Sequence, residues 1–130
     1  MSNKTPQLFK ISFEDRPEYL YALIKGDTSK SVTKIECWGE IITRCRKDGR
    51  HRLLVVLDGP GNATELDAYE STRGIIALGL QGLKIAYVDL NPENHKNNQF
   101  GELVAGNRGV FAKVFTTEPE AEQWLTKEGR

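Results

Sequence analysis

The segment Arg52–Asn62 has the sequence RLLVVLDGPGN, and it decides the fold. Residues 53–57 form a continuous apolar run, which is typical of a strand that is buried on both faces of a parallel sheet. The residues DGPG at 58–61 then predict a turn after that strand. The sequence LKIAYVDL at 83–90 has the same character, so we expect a second buried strand there.

Amphipathic helices are predicted between and after these strands. The clearest one follows Thr28 and Ser29, either of which can cap it, and it stops near Gly49. Three more are expected over about 64–80, 95–105 and 118–127. Apolar residues spaced three or four apart give each helix a predicted inward face. These residues are Val32, Ile35, Trp38, Ile41, Ile42 and Cys45, then Leu66, Tyr69, Ile76 and Leu80, then Phe100, Leu103 and Val104, then Ala121, Trp124 and Leu125.

Three further strands complete the predicted sheet. Two of them, at 8–13 and 19–24, form a hairpin around a turn, and the third covers 110–115. The resulting order, β-β-α-β-α-β-α-β-α, predicts a single α/β domain whose mainly parallel sheet is made mixed by the hairpin. We expect residues 1–7 to be a flexible N-terminal arm and residues 8–130 to form the domain.

The composition limits the classes of protein to which this chain can belong. The chain has 130 residues with 18 Lys and Arg against 18 Asp and Glu, which fits one domain and excludes a strongly basic nucleic-acid binder. Its apolar runs are shorter than the roughly 20 residues that span a bilayer. The first six residues lack the apolar region of a secretion signal. We therefore expect a cytoplasmic protein with no transmembrane segment and no nucleic-acid partner, in which Cys37 and Cys45 are reduced, buried thiols.

The order of elements and the C-terminal sequence together resemble a known family. The residues that carry the resemblance are Asn107–Val110, Val114–Glu118, Ala121, Trp124 and Leu125, together with the strand end Leu57–Asp58. They look like the SpoIIAA-like subgroup of the STAS domain family, the anti-sigma-factor antagonists, which is sometimes grouped with the Sec14-like lipid-binding fold. The resemblance covers about residues 8–127. It implies a mixed sheet with helices packed mainly on one side and a non-enzymatic, regulatory role in binding proteins.

The same resemblance directs attention to the loop after the central strand. In the antagonists this loop carries Asp-Ser-(Ser/Gly)-Gly, and a partner kinase phosphorylates its serine. The corresponding loop here, 58–64, contains no serine. Thr64 is its hydroxyl residue and is either a plain N-cap of the second helix or a phosphoacceptor. The loop residues expected to bind a ligand or a partner are Asp58, Gly59, Pro60, Gly61, Asn62 and Thr64.

Two other patterns suggest binding sites. Gly59 and Gly61 before Thr64, with Asp89 ending the next buried strand, partly match a dinucleotide fingerprint. The third glycine is missing and Pro60 removes an N–H donor, so a tight turn is the preferred interpretation. The second pattern is a basic cluster that either binds an anion or is a solvated helix end. Its members are Arg44, Arg46, Lys47, Arg50 and Arg52.

Three functional hypotheses follow. The leading one is a non-enzymatic module that recognises a protein partner or a second copy of itself through the 58–64 loop, gated by a ligand or a modification there. The second, from the Sec14-like relationship, is binding of a lipid or small anionic ligand in an apolar cavity beneath the third helix, anchored by the basic cluster. A nucleotide-binding enzyme ranks last. No residue pattern predicts a catalytic site, a metal site or a cofactor.

Overall fold

A computed structural model describes residues 8–61 and 63–127 of the protein. The predicted arm at 1–7 and the loop residue Asn62 therefore lie outside the described residues. The strands are β1 (Phe9–Asp15), β2 (Leu20–Gly26), β3 (Arg52–Asp58), β4 (Lys84–Asp89) and β5 (Phe111–Phe115). The helices are α1 (Ser31–Lys47), α2 (Glu65–Ile76), α3 (His95–Asn107) and α4 (Glu118–Thr126), and a 3-10 turn at Pro92–Asn94 leads into α3.

The strands form one mixed sheet in the order β1-β2-β3-β4-β5. β1 and β2 pair antiparallel, with Phe9 opposite Gly26, and the other three pairs are parallel. The central strand β3 is buried on both faces, as its apolar sequence predicts, because Leu54 and Val55 point to opposite sides and neither is exposed. The predicted α/β class and the opening hairpin are both confirmed.

The two faces of the sheet are covered unequally. α1, α2 and α3 lie on one face, where Cys37 and Ile41 pack against Val55. α4 alone covers the other face, where Ala121 and Leu125 are fully buried. Helices thus pack mainly on one side, as the resemblance implied. The arrangement also brings the carboxyl ends of β2, β3 and β4 to a single edge of the sheet, which we call the carboxyl edge.

The prediction of the inward helix faces is wrong at five apolar residues. They are exposed in the structure: Val32 (78%), Leu66 (64%), Tyr69 (37%), Phe100 (42%) and Leu103 (62%). Val32 lies in the first turn of α1, and the others lie on α2 and α3. The second helix also ends at Ile76 instead of 80.

Small and polar residues form the inward faces of α2 and α3 instead. On α2 the stripe that faces the sheet contains Ala68, Ser71 and Ile75, and on α3 it contains Gly101 and Ala105. Each stripe has the helical spacing of three or four residues. Because most of these side chains are short, they leave space between the two helices and the sheet, and the large apolar side chains of both helices remain outside.

Candidate functional site

The 58–64 loop joins the end of β3 to the start of α2. Thr64 is the N-cap of α2, as predicted, and forms a reciprocal capping box with Asp67. Its Oγ1 accepts from the Asp67 backbone N–H at 3.0 Å, and the Asp67 carboxylate accepts from the Thr64 backbone N–H at 3.3 Å. Hydrogen bonds from Thr64 lower the pKa of Asp67. The exposed Thr64 hydroxyl therefore stabilises the first turn of the helix.

Three asparagine side chains hold this loop from the segment that follows β4. The Nδ2 atoms of Asn91, Asn94 and Asn97 donate to the backbone carbonyls of Gly59 (3.3 Å), Pro60 (3.4 Å) and Ala63 (3.2 Å). We call these three residues the asparagine clamp. The sequence analysis missed it, although the asparagine-rich run NPENHKNN at 91–98 is a visible signal. The clamp joins the loop to the start of α3.

The two loop glycines are required by packing within the protein. A Cβ atom on Gly59 would collide with the carbonyl oxygen of Gly26, and one on Gly61 would lie 2.9 Å from Nδ2 of Asn91. Asp89 is buried, and its carboxylate accepts from the Asn98 side chain at 2.9 Å. These contacts within the protein explain why glycines and Asp89 occur at the positions of the partial dinucleotide pattern. They therefore favour the tight-turn interpretation.

Exposed apolar side chains surround the loop at the carboxyl edge. Leu66 (64% exposed) follows the loop on α2, and Leu90 (49%) follows β4. Val32 (78%) lies in the first turn of α1, just after β2, and Leu8 (55%) immediately precedes β1 where that strand pairs with the end of β2. We call these four residues the apolar rim. A group of large exposed apolar residues at one edge is typical of an interaction surface.

The basic cluster lies at the opposite edge of the sheet, at the end of α1 and the start of β3. Most of its side chains bind neighbouring parts of the protein. Arg44 donates to Asp48 at 2.6 Å, Arg46 donates to the carbonyl of Gly79 at 2.8 Å, Arg50 donates to the carbonyls of Arg16 and Tyr19, and Arg52 lies 3.9 Å from Glu18. Lys47 is exposed. These contacts tie the surrounding turns to the domain.

A cavity of about 130 Å³ lies between the sheet and the helices α1, α2 and α3. The expected cavity beneath the third helix is therefore present. Its apolar lining includes Trp38, Ile75 and Val114, and its polar lining includes Lys34 and Tyr87. No member of the basic cluster lines it, so the expectation that this cluster anchors a ligand there is wrong. The basic residue at the polar centre of the cavity is Lys34.

Lys34 and Tyr87 form the polar centre of the cavity. The Lys34 Nζ donates to the Tyr87 hydroxyl at 3.4 Å, and the Tyr87 ring packs 5.8 Å from that of Trp38. Burial lowers the pKa of Lys34, although the charge of Asp89 acts in the opposite direction. Burial likewise raises the pKa of Tyr87 well above its usual value. The sequence signal was a lysine spaced four and seven residues before Trp38 and Ile41, on the buried face of α1.

Across 8–61 and 63–127, no group of three His, Cys, Asp or Glu side chains is arranged to hold a metal ion. Within those ranges, no helix is long and apolar enough to cross a membrane. Cys37 and Cys45 are buried and free, as predicted.

Comparisons with known proteins bear on the fold. Neither protein-family models nor curated proteins give a match to this sequence. Among solved structures, the chain is similar to an uncharacterised protein of the DUF3478 family, with a SpoIIAA-like fold, from Shewanella loihica PV-4. The similarity covers 96% of this chain and 99% of the other, with a TM-score of 0.55 and 13% sequence identity. The fold is therefore SpoIIAA-like, as the resemblance implied.

Proposed function

We propose that the protein is a non-enzymatic, STAS-like regulatory module that binds a protein partner through the carboxyl edge of its sheet. The observation that carries this proposal is the apolar rim around the 58–64 loop. Burying large apolar side chains drives most protein association, and these four residues are held out into solvent. The proposal places the protein in the cytoplasm, where its two free thiols stay reduced.

The hydrogen bonds that hold the described residues of the loop support this role. The capping box fixes its end at Thr64, and the asparagine clamp fixes three of its carbonyl groups. A surface that is ordered before binding loses less conformational entropy in the complex than a mobile loop would. The exposed Asp58 and Pro60 add polar and apolar contacts beside the rim.

Thr64 is the proposed point of modification on this surface. Its hydroxyl is within reach of a kinase because the residue is exposed, and it lies beside the Asp67 carboxylate at 2.9 Å. A phosphate on Thr64 would replace the hydroxyl proton that is donated to Asp67 and would repel that carboxylate. Its charge and bulk beside Leu66 would weaken binding of the partner.

The surface can be tested with a photo-crosslinking residue introduced at Leu66 or Leu90. The matched control is Leu78, which is 39% exposed but lies beyond the end of α2, at the opposite edge. We expect a crosslink to one other protein from the rim positions and no crosslink from position 78. The partner identified in this way should then bind the purified wild-type chain. Leu66→Asp should weaken that binding by at least about tenfold, since a buried leucine contributes roughly 1.5–3 kcal/mol.

Other crosslinking results would contradict the proposal. Equal crosslinking from positions 66 and 78 would mean that the carboxyl edge is not the binding surface. Adducts between two copies of the chain would assign the rim to self-association in place of a separate partner. Unchanged binding by Leu66→Asp would show that the rim does not contribute to recognition.

A second candidate function is the binding of a small ligand, and the cavity is the specific observation that favours it. The space lies between α1, α2, α3 and the sheet, is partly open to solvent, and combines apolar walls with a lysine and a tyrosine. Native mass spectrometry of freshly purified protein tests this function directly. We expect a retained small-molecule mass that is lost when the cavity is filled by Ala68→Phe, whereas a clean unliganded mass would count against it.

A further inference from the structure

The cavity presents two hydrogen-bond donors at one point on a mainly apolar wall. Two carboxylates also line it, and both have partners in the protein: Asp67 accepts from the Thr64 hydroxyl, and Glu102 accepts from the Val114 backbone N–H. Lys34 carries three N–H donors in its charged form. Among the described residues its amine makes one hydrogen bond, to the Tyr87 hydroxyl, and that bond is long, at 3.4 Å. Tyr87 accepts that bond, so its own O–H is free to donate. Trp38 packs beside both groups.

Lys34 is half-buried, and its desolvated amine lacks the close carboxylate that such a cation ordinarily has. Among residues 8–61 and 63–127, no carboxylate lies within 4.0 Å of its amine. The charge of Asp89 is felt at the amine, but that carboxylate accepts from the Asn98 side chain and the Asn91 backbone N–H, at 2.9 and 3.0 Å. An ammonium group at the wall of a cavity, without a close carboxylate, favours an anionic ligand.

We propose that the cavity binds a small monocarboxylic acid with an apolar body, whose carboxylate accepts hydrogen bonds from the Lys34 ammonium and the Tyr87 hydroxyl. This inference rests on the second function proposed above, ligand binding in the cavity. A carboxylate has two acceptor oxygens, which suits a pair of donors 3.4 Å apart. The apolar body lies against Trp38 and Ile75.

The size of the cavity limits the ligand. Its volume of about 130 Å³ is close to the roughly 150 Å³ of an engineered cavity that holds benzene. A single ring or a short aliphatic chain beside the carboxylate fills such a space. Benzoate and hexanoate are therefore suitable probes, and benzyl alcohol and hexanol are their neutral counterparts.

Isothermal titration calorimetry with these four probes tests the inference on three chains. They are the wild type, Lys34→Met, and Lys30→Met as the matched control. Met replaces the amine with an apolar chain of similar length, so the variant keeps its packing. Lys30 lies four residues earlier on an exposed position outside the cavity. Thermal unfolding of each variant establishes that it is folded.

We expect both acids to bind the wild type more tightly than their alcohols. Lys34→Met should weaken binding of the acids by about tenfold or more, because a hydrogen bond to a charged group contributes roughly 1.5–3 kcal/mol. The same variant should leave alcohol binding within about twofold of wild type, and Lys30→Met should change neither class of probe.

Two results would overturn the inference, and they are distinguishable. If alcohols bind as well as acids, or if Lys34→Met binds acids normally, the cavity takes ligands but Lys34 does not select an anion. If none of the four probes binds any of the folded chains, ligand binding in the cavity itself fails, and the inference fails with it.

Discussion

Two lysines on opposite faces of the same sheet, the buried Lys84 and the half-buried Lys34, differ in the partners that the protein gives their amines. Lys84 begins β4 and points toward α4, where its Nζ donates to the carbonyl of Trp124 at 2.9 Å and to that of Lys127 at 3.4 Å. It also lies 4.7 Å from the centroid of the Trp124 ring. Lys34, on the other face, has one long contact with Tyr87 and faces a cavity.

The difference separates a structural lysine from a binding lysine. The Trp124 carbonyl belongs to the last turn of α4, where helical carbonyls lack partners and a cation is favoured. Lys84 therefore completes the helix end and fastens it to the sheet. Among the described residues the Lys34 amine makes one long hydrogen bond and caps no helix end, so the proposed ligand carboxylate would be its closest charged partner.

The largest expected effect is a loss of stability in Lys84→Met. This change leaves the carbonyls at the end of α4 without their donor and removes the cation from the Trp124 ring. We expect the free energy of unfolding to fall by about 2–3 kcal/mol, given the strength of hydrogen bonds to charged groups. Urea unfolding measures it. If Lys84→Met lowers the free energy of unfolding no more than Lys30→Met does, Lys84 has no structural role.

A smaller and opposite effect is expected from Lys34→Met in the absence of ligand. Removing an uncompensated buried amine should raise the free energy of unfolding by at least about 1 kcal/mol. The pKa of Lys34 is lowered in the folded protein, so folding opposes its protonation. The penalty is fully present below the folded pKa and disappears as the pH rises toward the unfolded value of about 10.4.

The pH dependence gives this prediction its control. The stability gained by Lys34→Met over wild type should shrink as the pH rises toward about 10, as measured by thermal unfolding at several pH values. A destabilised Lys34→Met at pH 7 would mean that the protein compensates this lysine after all.

The smallest effect is expected from Tyr87→Phe. Its hydroxyl makes a hydrogen bond of 3.4 Å, so its loss should cost less than about 1 kcal/mol near pH 7. The folded pKa of Tyr87 is raised by burial, so its contribution to stability is present below about pH 10 and is lost at higher pH. Thermal unfolding at about pH 8 and pH 11 should therefore show the wild type losing more stability than Tyr87→Phe. Equal losses would contradict the buried state of this phenol.

The order of the elements was predictable from sequence because strands that are buried on both faces have continuous apolar sequences. β3 and β4 have no alternation, which indicates two covered faces, and both are central in the sheet. The N-cap at Thr64 was also predictable, because capping depends on residues within one turn. Local patterns of this kind survive in the folded protein.

The lining of the cavity could not be predicted, because it depends on which face α2 and α3 turn toward the sheet. Their large apolar residues, such as Leu66 and Leu103, suggested the inward face, but small residues such as Ser71 and Ala105 occupy it. The two lysines did break apolar patterns in the sequence. What each one contacts is decided by packing between elements that are distant in the chain, so their different roles emerge only in the fold.

The asparagine clamp makes the 58–64 loop and the start of α3 a single mechanical unit. Asn94 and Asn97 belong to the turn and helix that roof the cavity, while the carbonyls they hold belong to the edge that carries the apolar rim. The same side-chain amides therefore connect the wall of the cavity to the loop beside the apolar rim, so the two candidate sites share residues.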